Sequence, residues 1–375
     1  MKWSIKIGRI GGIELKIHLT FLIFLAWLAI AYYAQGGRAA AIQGTLFIVL
    51  LFLCVLLHEL GHAFTAKAFG IRTPDITLLP IGGVARLERI PEEPKQELLI
   101  AIAGPLVNLL IAGVLILFLN ARANFSDLRD LDLPRVGLTA KLASLNIALV
   151  LFNLIPAFPM DGGRVLRALL AIRMDYAKAT RVAATIGQGF AFVFGLYGLQ
   201  QHHPMLIFIA FFVYLAASSE SASAQIKDIT AGLPVSEAML TEIKTLPANA
   251  TLDDAAEALL RTAQHEFAVV DETGHVVGVL TRNNIIEALK RQGGATPAAQ
   301  VMKRELPSVQ PDEPLDEAFA KMQASGYPAL AVTDAAGRLV GMITTENVGE
   351  MVMIKSLQPK EGKPSWRLRH VHGHA

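Results

Sequence analysis

Six apolar runs in the first 225 residues constrain this chain more than any other feature. They fall at about 17–34, 44–63, 98–119, 138–155, 183–199 and 205–222. Crossing a bilayer core takes roughly 20 apolar residues per helix. The chain is therefore expected to begin as a polytopic α-helical membrane protein with about six transmembrane helices. The run at 17–34 is too long for a signal-peptide core and no small-residue cleavage site follows it, so it is expected to be the first span. After Lys227 the composition becomes that of an ordinary soluble domain. Over all 375 residues, 53% are hydrophobic and only 18% charged, against about 25% charged in globular proteins. The net charge of +2 gives no electrostatic footprint for nucleic acid, which is not expected as a partner. The single cysteine, Cys54, excludes an internal disulfide framework.

Basic residues set the orientation. With the N-terminus inside, the inside segments carry Lys2, Lys6, Arg9 and Lys16, then Lys67, Arg72, Arg86, Arg89 and Lys95, then Arg164, Arg167, Arg173, Lys178 and Arg181. The outside segments carry only Arg38, Arg122, Arg129, Arg135 and Lys141. The reading is an integral protein of the cell (inner) membrane, with both termini cytoplasmic.

Between the second and third spans, Ile76 to Pro80 and Val84 to Glu88 flank Ile81-Gly82-Gly83, which predicts a β-hairpin turning at the glycines. An edge strand there can accept an extended peptide by strand addition; the alternative is a surface loop. The first 16 residues read as a basic amphipathic stretch.

Residues 235–298 and 299–354 are two copies of one unit, in gap-free register at a spacing of 63: Met239 aligns with Met302, Asp271 with Asp334, and Gly274 with Gly337. The domain reading is a membrane domain at 1–225, a linker at 226–234, the two repeats, and a basic, disordered tail at 355–375.

His58-Glu59-Leu60-Gly61-His62 lies in the second span. Helix positions i and i+4 share a face, so His58 and His62 can hold one Zn²⁺ while Glu59 acts on water. Ionisable groups inside an apolar helix are costly and mark function. The alternative, two histidines satisfied by neighbouring helices, leaves Glu59 unexplained. Catalytic zinc takes three protein ligands. The candidate third is Asp161, where Pro156, Pro159 and Gly162-Gly163 break the helical pattern; the alternative for Asp161 is an N-cap.

The His-Glu-Leu-Gly-His motif, Ile81-Gly82-Gly83, Ala103-Gly104-Pro105 with Asn108, and the stretch from Asn153 through Gly163 together resemble the site-2 protease family of intramembrane zinc metalloproteases. The resemblance covers roughly residues 1–225. It implies one zinc per chain on His58, His62 and Asp161, Glu59 as catalytic base, and Asn153 at the substrate or reaction centre. The alternative for Asn153 is a polar bridge between helices. It also implies a transmembrane protein substrate, cut within the lipid bilayer.

The repeats resemble a pair of cystathionine-β-synthase (CBS) domains, which makes the C-terminal half a tandem CBS domain of α/β class. Such pairs often bind adenine nucleotides and pair into homodimers. Their usual pattern is Thr or Ser, two residues, then Asp for a ribose. Here Thr281-Arg282-Asn283-Asn284 and Thr344-Thr345-Glu346-Asn347 carry asparagine instead. The resemblance assigns nucleotide contacts to Thr281, Asn284, Thr344 and Asn347; the alternative is a module that only dimerises or docks. Two rival functions stand beside the protease: a transporter or channel gated by the CBS pair, and an inactive relative that binds membrane proteins.

Overall fold

Apolar residues alternate at Ile13, Leu15 and Ile17 and again at Ile76 and Leu78, and both segments are strands. The computed structural model describes residues 3–88, 91, 93–119, 137–304 and 306–357. Strands β1 (Ser4–Ile10), β2 (Ile13–His18), β3 (Asp75–Leu79) and β4 (Gly82–Arg86) form one sheet in that order. β2 and β3 are parallel, and the two outer pairings are antiparallel. The N-terminal stretch read as merely amphipathic is thus a hairpin that joins the expected one. Leu79 pairs with Gly82, so the β3–β4 turn is Pro80-Ile81 rather than the glycines. Alternation places Ile13, Leu15, Ile76 and Leu78 on one face of the sheet. That face packs on Phe21, Phe52, Leu56, Leu60 and Ala63 of the first helix.

Helix α1 (Leu19–Ala68) is continuous except at Gly36 and Gly37, whose backbone is non-helical. The first two expected spans run together across this break. Helices α2 (Pro94–Leu119), α3 (Leu138–Asn153), α4 (Asp161–Ala171), α5 (Tyr176–Gln200) and α6 (Pro204–Thr230) follow. Among the described residues, α1, α2, α5 and α6 are long and apolar enough to cross a membrane, and α3 is a shorter apolar helix. Small residues bury against neighbours where backbones approach closely, as at Ala179, Ala183, Ala184, Gly187 and Ala191 of α5. The loop 154–160 lies in that space: Ala157 and Met160 pack with Ala191 and Val213, and Phe158 with Ala183, Ala184 and Ala217.

The chain divides into two compact units, Met1–Ala224 and Gln225–Ala375. Helix α6 runs on to Thr230, so the linker expected at 226–234 is helical in its first half. In the second unit, β5 (Leu246–Pro247), α7 (Leu252–Arg261), β6 (Glu266–Val270), β7 (Val276–Thr281) and α8 (Arg282–Gln292) make the first copy. After α9 (Ala298–Val301), the second copy comprises β8 (Ser308–Val309), α10 (Leu315–Ser325), β9 (Ala329–Thr333), β10 (Leu339–Thr344) and α11 (Thr345–Leu357). The repeat holds down to single hydrogen bonds. Asp271 accepts from the backbone N–H groups of Thr273 and His275, and Asp334 from those of Ala336 and Arg338. Gly274 and Gly337 take φ of +84° and +79° in the turns between, a region open to glycine at no steric cost.

Each copy lends its opening residues to the other. Leu240 pairs with Met342 of β10, and Lys303, its equivalent, pairs with Val279 of β7. Val235 and Ala238 sit in the core of the second copy, and Ala298 in that of the first. A Cβ at Gly278 or Gly341 would stand 2.8 Å from the carbonyl oxygen of Lys303 or 2.7 Å from that of Leu240, which is why both positions are glycine. α11 ends at Leu357, so the first residues of the expected tail are helical. The remainder, 358–375, lies outside the described residues.

Candidate metal centre

The His-Glu-x-x-His spacing brings His58 and His62 onto one face of α1, where both are buried. Asp161 is the first residue of α4, whose N-cap is Met160. Its side chain does not cap the helix; it reaches the histidines. His58 Nε2, His62 Nε2 and Asp161 Oδ2 lie 3.1 to 3.2 Å from one another. They form the one such cluster among the described residues.

The chemistry of this donor set fits a cation. His62 Nδ1 stands 2.7 Å from the Ile100 carbonyl oxygen. A carbonyl only accepts, so Nδ1 carries the proton, and in the neutral ring Nε2 presents a lone pair. That lone pair faces a second imidazole nitrogen and a carboxylate oxygen. One proton can be shared across a single pair of these atoms, whereas a divalent cation satisfies all three. The spacing agrees. Ligands about 2.0–2.2 Å from a tetrahedral zinc are separated from each other by about 3.4 Å. His58, His62 and Asp161 are therefore the residues able to hold the metal.

Three glycines shape the surroundings. A Cβ at Gly104 on α2 would stand 2.2 Å from His62 Nε2 and 2.7 Å from His58 Nε2. A Cβ at Gly83 on β4 would stand 2.6 Å from Glu59 Cγ, so the edge strand of the sheet passes directly over the Glu59 side chain. At Gly162 a Cβ would meet the carbonyl oxygens of Ile155 and Leu154 at 2.2 and 2.4 Å; glycine lets the 154–158 loop fold over the start of α4. Asn153, the last residue of α3, is half-buried and outside the three-ligand cluster.

The family model for peptidase family M50 matches residues 46–129 and 132–196, and the CBS-domain model matches 235–291 and 298–349. The zinc metalloprotease MJ0392 of Methanocaldococcus jannaschii is 36% identical over 285 residues, covering 76% of this chain and 80% of that protein. The chain belongs to peptidase family M50, the site-2 proteases. A candidate zinc metalloprotease of Synechocystis sp. (sll0528) is 28% identical over 96% of each chain. The solved site-2 protease from Methanocaldococcus jannaschii is 39% identical, covers 58% of this chain and 95% of that one, and gives a TM-score of 0.44. Family M50 is membrane-embedded, in keeping with the four long apolar helices, and this M50 chain carries a CBS pair after its membrane unit.

The positions expected to meet a nucleotide are occupied locally. Thr281 caps α8: its hydroxyl donates to Asn284 Oδ1 at 2.7 Å and accepts from the Asn284 backbone N–H at 3.3 Å. Thr344 and Asn347 repeat this arrangement. Beside Asn347 is a cavity of about 300 Å³ whose walls include Glu237, Met239, Glu350 and Lys355.

One feature of the membrane unit has no local signature in the sequence. Arg167 of α4, counted there among the inside basic residues, is buried. It is paired with Glu97 of α2, also buried, and with Glu220 of α6. The available signal lies elsewhere in the chain, at Glu97, a carboxylate in the first turn of an apolar helix.

Proposed function

We propose that this chain is an intramembrane zinc metalloprotease that hydrolyses peptide bonds in the transmembrane segments of other proteins. The observation that carries this reading is the buried triangle of His58, His62 and Asp161 beside Glu59, in a chain of family M50. Zinc, when bound, supplies Lewis acidity that lowers the pKa of water to about 7 and polarises a carbonyl. His58 and His62 would hold it from α1, and Asp161 from α4. The Ile100 carbonyl sets the tautomer and ring orientation of His62. Glu59 takes the proton of the attacking water and delivers it to the leaving nitrogen. Asn153 contacts the substrate near the reaction centre.

A helical substrate has its carbonyls tied up in hydrogen bonds and must unwind to be cut. β4 is an edge of its sheet and passes over Glu59 at Gly83. An unwound segment added to β4 as a further strand lies beside the base. Water reaches the site from the cytoplasmic side, along the polar stretch 159–164. The break at Gly36-Gly37 and the short α3 support six crossings, and with an even number of them the Lys/Arg bias supports cytoplasmic termini. Reporter fusions at residue 230 active only outside the cell would overturn that topology.

The CBS pair is the regulatory part of this proposal: it senses an adenine nucleotide, pairs two chains, and acts on the membrane unit through α6, which is unbroken from Pro204 to Thr230. Asparagine in place of aspartate, threonine hydroxyls spent on caps, and two glutamates at the 300 Å³ cavity make binding weak. Calorimetric titration of fragment 230–356 with ATP, ADP and AMP tests this, and no binding at millimolar levels would leave a docking module. The protease reading itself requires that purified chain cut a transmembrane substrate and that Glu59→Gln keep zinc without cutting.

A further inference from the structure

Arg167 is 2% exposed and Glu97 3%. The Arg167 guanidinium places Nε 2.8 Å from Glu97 Oε1 and turns Nη2 to the same oxygen. Its third nitrogen, Nη1, donates to Glu220. Its Cζ lies over two rings, 5.0 Å from the Phe158 centroid and 4.9 Å from that of Tyr176. All three nitrogens of the group are therefore engaged, and its four partners come from α2, α6, the loop before α4 and the start of α5. Burying an ion pair in a membrane protein is costly, and ionisable groups there mark function.

What this group holds is the flank of Asp161. Arg167 is on the same short helix as Asp161, and Phe158, stacked on its guanidinium, is three residues before that aspartate. Glu97 is on the helix that also supplies the Ile100 carbonyl to His62 and Gly104 to both imidazoles. The Arg167–Glu97 pair thus fixes the helix bearing the third ligand against the helix that orients the second. The two histidines need no such device, because i, i+4 spacing on one helix sets their separation. Asp161 is 99 residues from His62, and its place depends entirely on how α4 is docked.

We propose that Arg167 is a positioning residue, which through Glu97 and Glu220 sets the distance of Asp161 from His58 and His62 and thereby the affinity of the site for its metal. This rests on the metal-site reading above. Glu220, whose side chain is 33% exposed, is the outer arm of the clamp, and Glu97 the buried one. A lysine at 167 keeps the charge but cannot serve both carboxylates and two rings at once.

The test measures zinc affinity of the full chain in detergent by competition with a chromophoric chelator, together with the visible spectrum of the cobalt-substituted protein, which reports ligand geometry. The informative variant removes all three charges together: Glu97→Met, Arg167→Met and Glu220→Met. Exchanging a whole buried ion cluster for apolar groups is often neutral for folding, whereas removing one partner is not. Thermal unfolding near that of wild type, with zinc dissociation constant raised about 10–100-fold and an altered cobalt spectrum, is expected. Arg167→Lys should fall between the two, with the same spectral change in smaller measure. Zinc affinity within about twofold of wild type in the folded triple variant would overturn the proposal. If the triple variant does not fold, unchanged affinity and spectrum in Arg167→Lys and Glu220→Gln overturn it equally. A wild-type chain that binds no zinc would instead sink the metal-site reading on which this rests, so the two failures are distinguishable.

Discussion

Replacing Gly104 with alanine sets two effects of opposite sign against each other. Gly104 is in the interior of α2, where alanine is favoured over glycine by about 1 kcal/mol of helix propensity. Local preference alone therefore makes Gly104→Ala a stabilising change. The structure predicts the reverse for the site. The added Cβ would lie 2.2 Å from His62 Nε2, against the 3.4 Å of ordinary contact, a deficit of about 1.2 Å. The deficit is not easily relieved. His62 is pinned through Nδ1 to the carbonyl of Ile100, one turn earlier on the same helix. Moving α2 away breaks that bond, and rotating the ring takes Nε2 out of the donor triangle. Loss of an orienting partner of a ligating histidine costs 10–100-fold in metal affinity, and misplacement by about 1 Å costs about 100-fold in rate. Chelator competition on the purified chain should show zinc affinity down by at least tenfold. The control is Gly113→Ala on the same helix, where an added Cβ meets nothing within 4 Å; it should keep zinc and gain slightly in stability. Gly104→Ala with wild-type zinc affinity and a raised unfolding temperature would refute the close approach of α2 to the metal centre.

Asp161→Ala should remove most of the zinc, about one ion per chain, as read by metal analysis; full retention would mean that two histidines and water suffice. Gly83→Val places a side chain where Glu59 Cγ stands 2.6 Å from the ideal Cβ. It should leave zinc bound while cutting turnover about 100-fold or more, and unchanged turnover would remove β4 from the reaction. The C-terminal unit should lose stability in acid. Asp254, Asp271 and Asp334 are held below the ordinary aspartate range by the Thr251 backbone N–H, the Thr273 hydroxyl and the Arg338 backbone N–H respectively. Depressed folded values mean stability that is present above the unfolded pKa, near 4, and is lost as pH falls below it. Thermal scans of this unit from about pH 5 to pH 3 should show the fall, and Asn at all three positions should flatten it; an unaltered slope would rule these carboxylates out.

How much of this was legible in the sequence follows the range of the interactions involved. The i, i+4 histidines were legible because one helix turn fixes their geometry, and the 63-residue repeat because both copies keep the same glycines and aspartates. The β3–β4 hairpin was visible from its local alternation, though the turn is Pro80-Ile81 and the glycines begin the next strand. The β1–β2 hairpin was not seen as part of a sheet, because its pairing with β3 joins Leu15 to Ile76 across the whole of helix α1. Arg167 was misjudged for the same reason: its partners lie 70 and 53 residues away, and a lone arginine in a short helix reads as a loop charge. The exchange of opening segments between the CBS copies also depends on long-range pairing, with only Gly278 and Gly341 marking it in the sequence.

The central claim is that the His58–His62–Asp161 centre and Glu59 together hydrolyse a peptide bond. The most direct measurement is incubation of purified, zinc-loaded chain in lipid with a model single-span membrane protein, with products identified by mass spectrometry, beside Glu59→Gln prepared in the same way. The account predicts cleavage within the transmembrane segment by the wild type, abolished by a zinc chelator, and a Glu59→Gln protein that binds zinc equally but is slower by a factor of about 100 to 10,000. Cutting by Glu59→Gln at the wild-type rate would contradict it.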